Sequence, residues 1–203
     1  MTARRPSDWV PSSAGPAWAR WVGRFLGRVV WNAHVVGGER VPVDGPVVLA
    51  ANHLTLIDGP VLIGVAPRGL HILTKQEMFH GPVGTVLGWA GQIPVDRANG
   101  RPALRSALGV LRQGGAVVPV AILGTRLTGE SLGHIPGVRR RLYVEFGEPL
   151  PPVAGGASRD RIGATSARLR DAMAALVTAA QARSGIALPA DDPRRPRPIP
   201  PHV

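Results

Sequence analysis

The sequence contains no cysteine, and lysine occurs once, at Lys75. Without cysteine there is neither a disulfide framework nor a thiolate metal site. That fits a reducing compartment without requiring one, since exported chains can also lack cysteine. Aromatic residues make up 4% of the chain, which leaves little for a base-stacking surface. No nucleic-acid-binding motif is present, so no nucleic-acid partner is expected in spite of the charge. No apolar run reaches the roughly 18 residues that span a bilayer. The polar stretch 1–16 also lacks the apolar segment and cleavage site of a secretory signal. The chain is therefore expected on the cytoplasmic side, unless something holds it to a surface.

What is present is basic and rich in turn formers. The 203 residues suffice for one domain with a sizeable core, and 44% of them are apolar. There are 26 Gly and 21 Pro, enough for many turns and an unstructured tail. The net charge is +11 and the pI near 11.7, which implies an anionic partner such as anionic lipid or a phosphorylated substrate. Nearly all of that charge is arginine. A GC-rich genome accounts for such a bias, and so does a need for planar, bidentate contacts to phosphate.

Three regions are expected: 1–34, a flexible lead-in with an amphipathic helix; 35–185, an α/β domain; and 186–203, a disordered Pro/Arg-rich tail. The helical pattern runs over 16–34. On a wheel, Trp18, Trp21, Val22, Phe25, Leu26, Val29 and Val30 cover one half, and Arg20, Arg24 and Arg28 form a stripe on the other. Only Trp31 falls out of place. This is the pattern of a helix lying in a membrane interface, with three of the five tryptophans in it. The competing reading is a terminal helix docked on the domain with solvated arginines.

Beyond Gly37-Gly38, short apolar runs alternate with helical stretches. Strands are expected at 47–51, 70–74, 92–95 and 117–123, with an edge strand at 141–146 because its residues alternate. Helices are expected at about 58–66, 77–90, 102–113 and 159–183. Together these predict an α/β fold, with a central, mostly parallel or mixed sheet flanked by helices.

The sharpest chemical feature is Asn52-His53-Leu54-Thr55-Leu56-Ile57-Asp58, directly after the first of these strands. A strand end leading through a loop into a helix is where α/β proteins place reactive groups. If the loop turns, the Asp58 carboxylate holds one nitrogen of the His53 ring and leaves the other as a general base. The remaining histidines, His34, His71, His80, His134 and His202, show no metal-ligand spacing, so no metal site is expected. Arg139-Arg140-Arg141 reads as a solvated basic face, with lipid phosphate as a minority partner.

The N-H-x4-D stretch after an apolar strand resembles the first signature block of the glycerolipid (lysophospholipid) acyltransferase family. Lys75-Gln76-Glu77-Met78-Phe79, Gly81-Pro82-Val83-Gly84 and Gly91-Gln92-Ile93-Pro94-Val95-Asp96-Arg97 resemble its second block and the approach to it. Val118-Pro119-Val120-Ala121-Ile122 resembles the fourth. The resemblance spans about residues 35 to 150. It implies direct acyl transfer from acyl-CoA or acyl carrier protein to the hydroxyl of a lysophospholipid, with lysophosphatidate foremost. The two acyl carriers enter as co-substrates, and no cofactor is implied. His53 and Asp58 become the catalytic pair. Asn52, Lys75, Glu77, Gly91, Arg97 and Arg126 become substrate-binding positions, Arg97 for the acceptor phosphate and Gly91 for the turn beside it. The implied location is peripheral, on the cytoplasmic face of the cell membrane.

One block departs from the pattern. The third, a Glu-Gly-Thr-Arg-like stretch, belongs between the second and the fourth. Here 111–117 runs straight into Val118-Pro119-Val120. Gly124-Thr125-Arg126 follows the fourth block and has Leu123 where the glutamate belongs. A segment is therefore read as missing near Val117-Val118, with a strand lost or two merged. This leaves a second reading, a family member that binds lipid or acyl donor with impaired or no turnover.

Overall fold

The computed structural model describes residues 15–96, 115–150 and 159–190. The lead-in, the helix expected at 102–113, Arg97 and the tail beyond 190 lie outside the described residues. In chain order the elements are α1 (Gly15–Phe25), a π-helical turn (Leu26–Val30), β1 (Asn32–Val36), a 3-10 turn (Gly38–Arg40), β2 (Val47–Ala51) and α2 (Asp58–Val65). There follow β3 (Leu73–Lys75), a 3-10 turn (Gln76–Phe79), α3 (Gly81–Trp89), β4 (Ile93–Val95), β5 (Ala116–Leu123), β6 (Arg141–Phe146) and α4 (Arg159–Ser184). None of the described helices is long and apolar enough to cross a membrane.

The main sheet is mixed, in the order β1-β6-β5-β2, with β1/β6 and β2/β5 parallel and β5/β6 antiparallel. β3 and β4 form a separate two-stranded parallel sheet. β5 is an apolar run because both of its faces are covered. Val118, Val120 and Ile122 join the core with Val61, Leu62 and Trp31, while Ala121 and Leu123 pack with Ala180, Leu176 and Val177 of α4. Truncating Ile122 to alanine in such a place costs about 2–5 kcal/mol. The strand passes unbroken through Val117-Val118, where the missing segment is inferred.

Several expectations are corrected. The N-terminal helix ends at Phe25 and a π-helical turn follows; the chain then enters β1, a strand that the amphipathic pattern had concealed. Trp31 turns inward instead of anchoring in lipid: it is buried, and its Nε1 donates to the Pro136 carbonyl at 2.9 Å. β6 is an interior strand, flanked by β1 and β5, not an edge. Its alternation misleads because Glu145 is buried there, with Arg183 and Tyr143 donating to its carboxylate. The helix expected at 77–90 breaks in two, since Gly81 takes a left-handed φ of 64° and Pro82 then restarts the helix. Residues 186–190, expected as part of the tail, are seated on the domain: Leu188 packs on the α4 cluster, and the Ala190 amide donates to Thr128 Oγ1 at 3.0 Å.

α1 packs against α2 through its small residues. Ala19, Gly23 and Gly27 are buried at four-residue spacing. A Cβ on Gly64 would lie 2.2 Å from the Gly23 carbonyl, so the two backbones touch. Leu26 and Val30 pack on the core, but Trp18, Trp21, Val22, Phe25 and Val29 remain on the surface. The helix is thus docked on the domain by one sector and shows most of its large apolar side chains outward.

Candidate functional site

The site forms where β2 and β5 end together. Asn52 continues their pairing with its side chain: Nδ2 donates to the Ile122 carbonyl at 2.8 Å, and Oδ1 accepts from the Ile122 amide at 2.7 Å. The carboxamide is thereby engaged by the backbone of β5 and fixes where the loop to α2 begins. The loop turns within five residues and enters α2 at Asp58.

Asp58 is buried, and an ionised carboxylate is tolerated there only if hydrogen bonds replace its water. Oδ2 accepts from the amides of Leu54 and Thr55 and from the His53 ring, the last with Nδ1 at 2.9 Å. Oδ1 accepts from Thr125 Oγ1 at 2.6 Å. The position in the first turn of α2 adds the favourable end of the helix dipole. The donors fix the carboxylate, and the carboxylate fixes the ring. The His53 side chain is itself 52% exposed, so Nε2 is left for a partner from outside. An imidazole held in one tautomer by a buried carboxylate, with its other nitrogen accessible, has the chemistry of a general base.

Thr125 is the residue that the sequence reading passed over. Gly124-Thr125-Arg126 drew attention for its arginine, yet it is the wholly buried threonine that touches Asp58, across 67 positions. Arg126 is buried beside it, and its Nε donates to the Glu130 carbonyl at 2.8 Å. Glu130 in turn receives two hydrogen bonds from Arg140, at 2.7 and 2.6 Å, and one from the Leu127 amide at 2.8 Å. The Arg140 guanidinium holds the Glu130 carboxyl down to about 2, against the opposing effect of burial.

The other expected site residues sit on the small sheet. Lys75 Nζ lies 3.5 Å from Glu77 Oε1, and both side chains are exposed. Gly91 makes its turn at φ 70°, and its carbonyl receives the His71 ring at 2.7 Å. Gln92, also unforeseen, is buried: Oε1 accepts from the Ile72 amide at 2.7 Å, and Nε2 donates to the Ala90 carbonyl at 2.6 Å. His53, Asp58, Asn52 and Arg126 therefore cluster at the β2/β5 ends, while Lys75, Glu77 and Gly91 belong to the β3–β4 unit. Two concavities of 510 Å³ and 540 Å³ lie elsewhere, beside β1, β6 and α4, and His53 lines neither.

A mixed sheet covered by helices, with a carboxylate-held histidine at the strand ends, is a scaffold for acid–base group transfer. The family model described as Acyltransferase matches residues 32–155, more than half of the chain, and the protein belongs to that acyltransferase family. Among solved structures it is similar to the crystal structure of the 1-acyl-sn-glycerophosphate (LPA) acyltransferase, PlsC, from Thermotoga maritima. The identity is 18%, 79% of each chain is covered and the TM-score is 0.58, a likeness of fold.

Proposed function

We propose that the protein transfers an acyl group from acyl-CoA or acyl carrier protein to the free hydroxyl of a lysophospholipid, with lysophosphatidate as the favoured acceptor. The observation that carries this reading is the half-exposed His53 ring held at Nδ1 by buried Asp58. His53 Nε2 takes the proton from the acceptor hydroxyl as its oxygen attacks the thioester carbonyl. The tetrahedral intermediate then expels the thiolate, which takes the proton back from the imidazolium. Asp58 stabilises that imidazolium, and no acyl-enzyme forms. A positioned base of this kind contributes on the order of 10² to 10⁴ in rate. Arg97, Arg126 and Lys75 are the cations proposed for the acceptor phosphate, since guanidinium and ammonium groups bind it well. The exposed apolar sector of α1, with Arg20 and Arg24 on the same helix, supports peripheral attachment to the cytoplasmic face of the membrane.

Purified protein given acyl-CoA and lysophosphatidate should release free thiol, and His53→Ala should abolish the release. Equal silence of both proteins with every acyl donor and acceptor tried would defeat the catalytic reading. A second reading, binding without turnover, is favoured by the unbroken β5 at Val117-Val118 and by the separation of the small sheet from the main one. Under that reading, inserting a family-like segment between Val117 and Val118 creates activity where there was none.

A further inference from the structure

The connection between β5 and β6 exposes four large apolar side chains: Leu127 at 43%, Leu132 at 51%, Ile135 at 66% and Val138 at 75%. They are held outward by a braced backbone. Arg140 clamps Glu130, and Glu130 also binds the Leu127 amide. Trp31 Nε1 donates to the Pro136 carbonyl at 2.9 Å, and the Arg139 amide donates to the Val30 carbonyl at 2.6 Å. The last two bonds seat residues 136–139 against the end of the N-terminal helical segment. Phe25 and Val29 of that segment are themselves 51% and 61% exposed.

We propose that this connection, residues 127–138, is a second lipid-inserting element, which enters an anionic bilayer together with the exposed sector of α1. The inference rests on the membrane-surface reading above and extends it to a part of the chain that the amphipathic pattern does not reach. Three observations support a bilayer as the occupant. The connection is bonded to the end of the amphipathic segment by the Trp31 side chain and by the Arg139 amide, which brings the two sets of exposed apolar side chains into one region of the molecule. The flanking charge is positive: Arg139 is exposed, whereas the acid of the connection, Glu130, is neutralised by Arg140. An apolar surface bordered by arginine suits anionic headgroups above hydrocarbon. Finally, the turn that leads from β5 into this connection carries Thr125, which is bonded to Asp58. Insertion would therefore seat the catalytic pair at headgroup level, where the free hydroxyl of a lysolipid lies.

The chain has no cysteine, so single substitutions can be labelled cleanly in the full-length protein. Ile135→Cys, Val138→Cys and Phe25→Cys, with Asp171→Cys on α4 as a control, would carry an environment-sensitive fluorophore. The probe surface is vesicles of phosphatidylglycerol and phosphatidylcholine. A blue shift at 25, 135 and 138, quenched by brominated lipid and absent at 171, is the expected result. A response at 25 with silence at 135 and 138 overturns the proposal and leaves the membrane reading standing. Silence at all positions removes both. A shift at 135 that needs no vesicles and grows with protein concentration assigns the surface to a second copy and overturns the proposal. As an unlabelled check, Ile135→Asp combined with Val138→Asp should weaken vesicle binding about tenfold or more, given the cost of burying charge in the interface. Its circular dichroism should be unchanged, since both side chains are exposed.

Discussion

The two halves that carry the expected site residues are built in opposite ways. His53 stands on the main sheet, where its loop is tied to β5 by Asn52, and Asp58 is saturated by donors from three neighbours in sequence and one distant threonine. Lys75 and Glu77 stand on a two-stranded sheet, exposed and paired with each other. The difference separates preorganisation from adaptability. A base needs a fixed ring, which a buried network supplies, whereas charged groups that meet a ligand phosphate can stay solvated until it arrives.

Perturbing Asp58 tests the first half most severely. Asp58→Asn should lower thiol release by on the order of 10² to 10⁴, because a carboxamide does not stabilise the imidazolium. It should also cost about 3 kcal/mol in urea unfolding, since at least one buried donor then faces another donor. A fully active, fully stable variant would show that the network is decoration. Thr125→Val comes next: about 2 kcal/mol of stability and roughly a tenfold loss of turnover, with Thr125→Ser restoring most of both because it returns the hydroxyl.

The Glu130 clamp provides a pH test within the same half. Its carboxyl is held at about 2, below the ordinary 4.5, so the clamp contributes stability in full above the ordinary value. That contribution is lost as the pH falls from 4.5 through about 2. Amide exchange at Leu127 and Arg139, corrected for intrinsic rates, should therefore accelerate over that window, and Glu130→Gln should remove the pH dependence. In the other half, Gln92→Ala should cost about 1 kcal/mol. It should loosen the amides of Ile72 and Ile93 while those of Leu54 and Thr55 stay protected, and loosening of all four would join the two halves into one unit. Lys75→Ala should have the smallest effect, below about 1 kcal/mol, because exposed ion pairs contribute little. If Lys75 binds substrate, KM rises at unchanged kcat.

How much of this was legible in the sequence depends on distance along the chain. His53 and Asp58 lie five residues apart, so a strand followed by a loop and a helix announces their contact. The α/β layering was equally plain, because β5 and α4 carry their periods openly. Thr125 was hidden because it reaches Asp58 only through the pairing of β2 with β5, a long-range fact that no local pattern contains. β6 reads as an edge because an alternating strand with a glutamate looks solvated, and nothing near it in sequence reveals that Arg183 neutralises that charge. The wheel of α1 located the apolar sector correctly but not the docking sector. Large side chains dominate such a plot, and the contact with α2 is made by Ala19, Gly23 and Gly27.

The Gly23–Gly64 crossing has a mechanical meaning beyond packing. With no side chain between the two backbones, α1 has neither a cushion on which to roll nor slack in which to slide. The helix is geared to α2, the element whose first residue is Asp58. A single methyl group at the crossing would act as a shim under a lever, tilting Trp21 and Phe25 at the surface while leaving every atom of the His53–Asp58 pair chemically intact. On the proposed membrane reading, the height at which His53 rides above a bilayer would then be set by the thickness of two missing side chains.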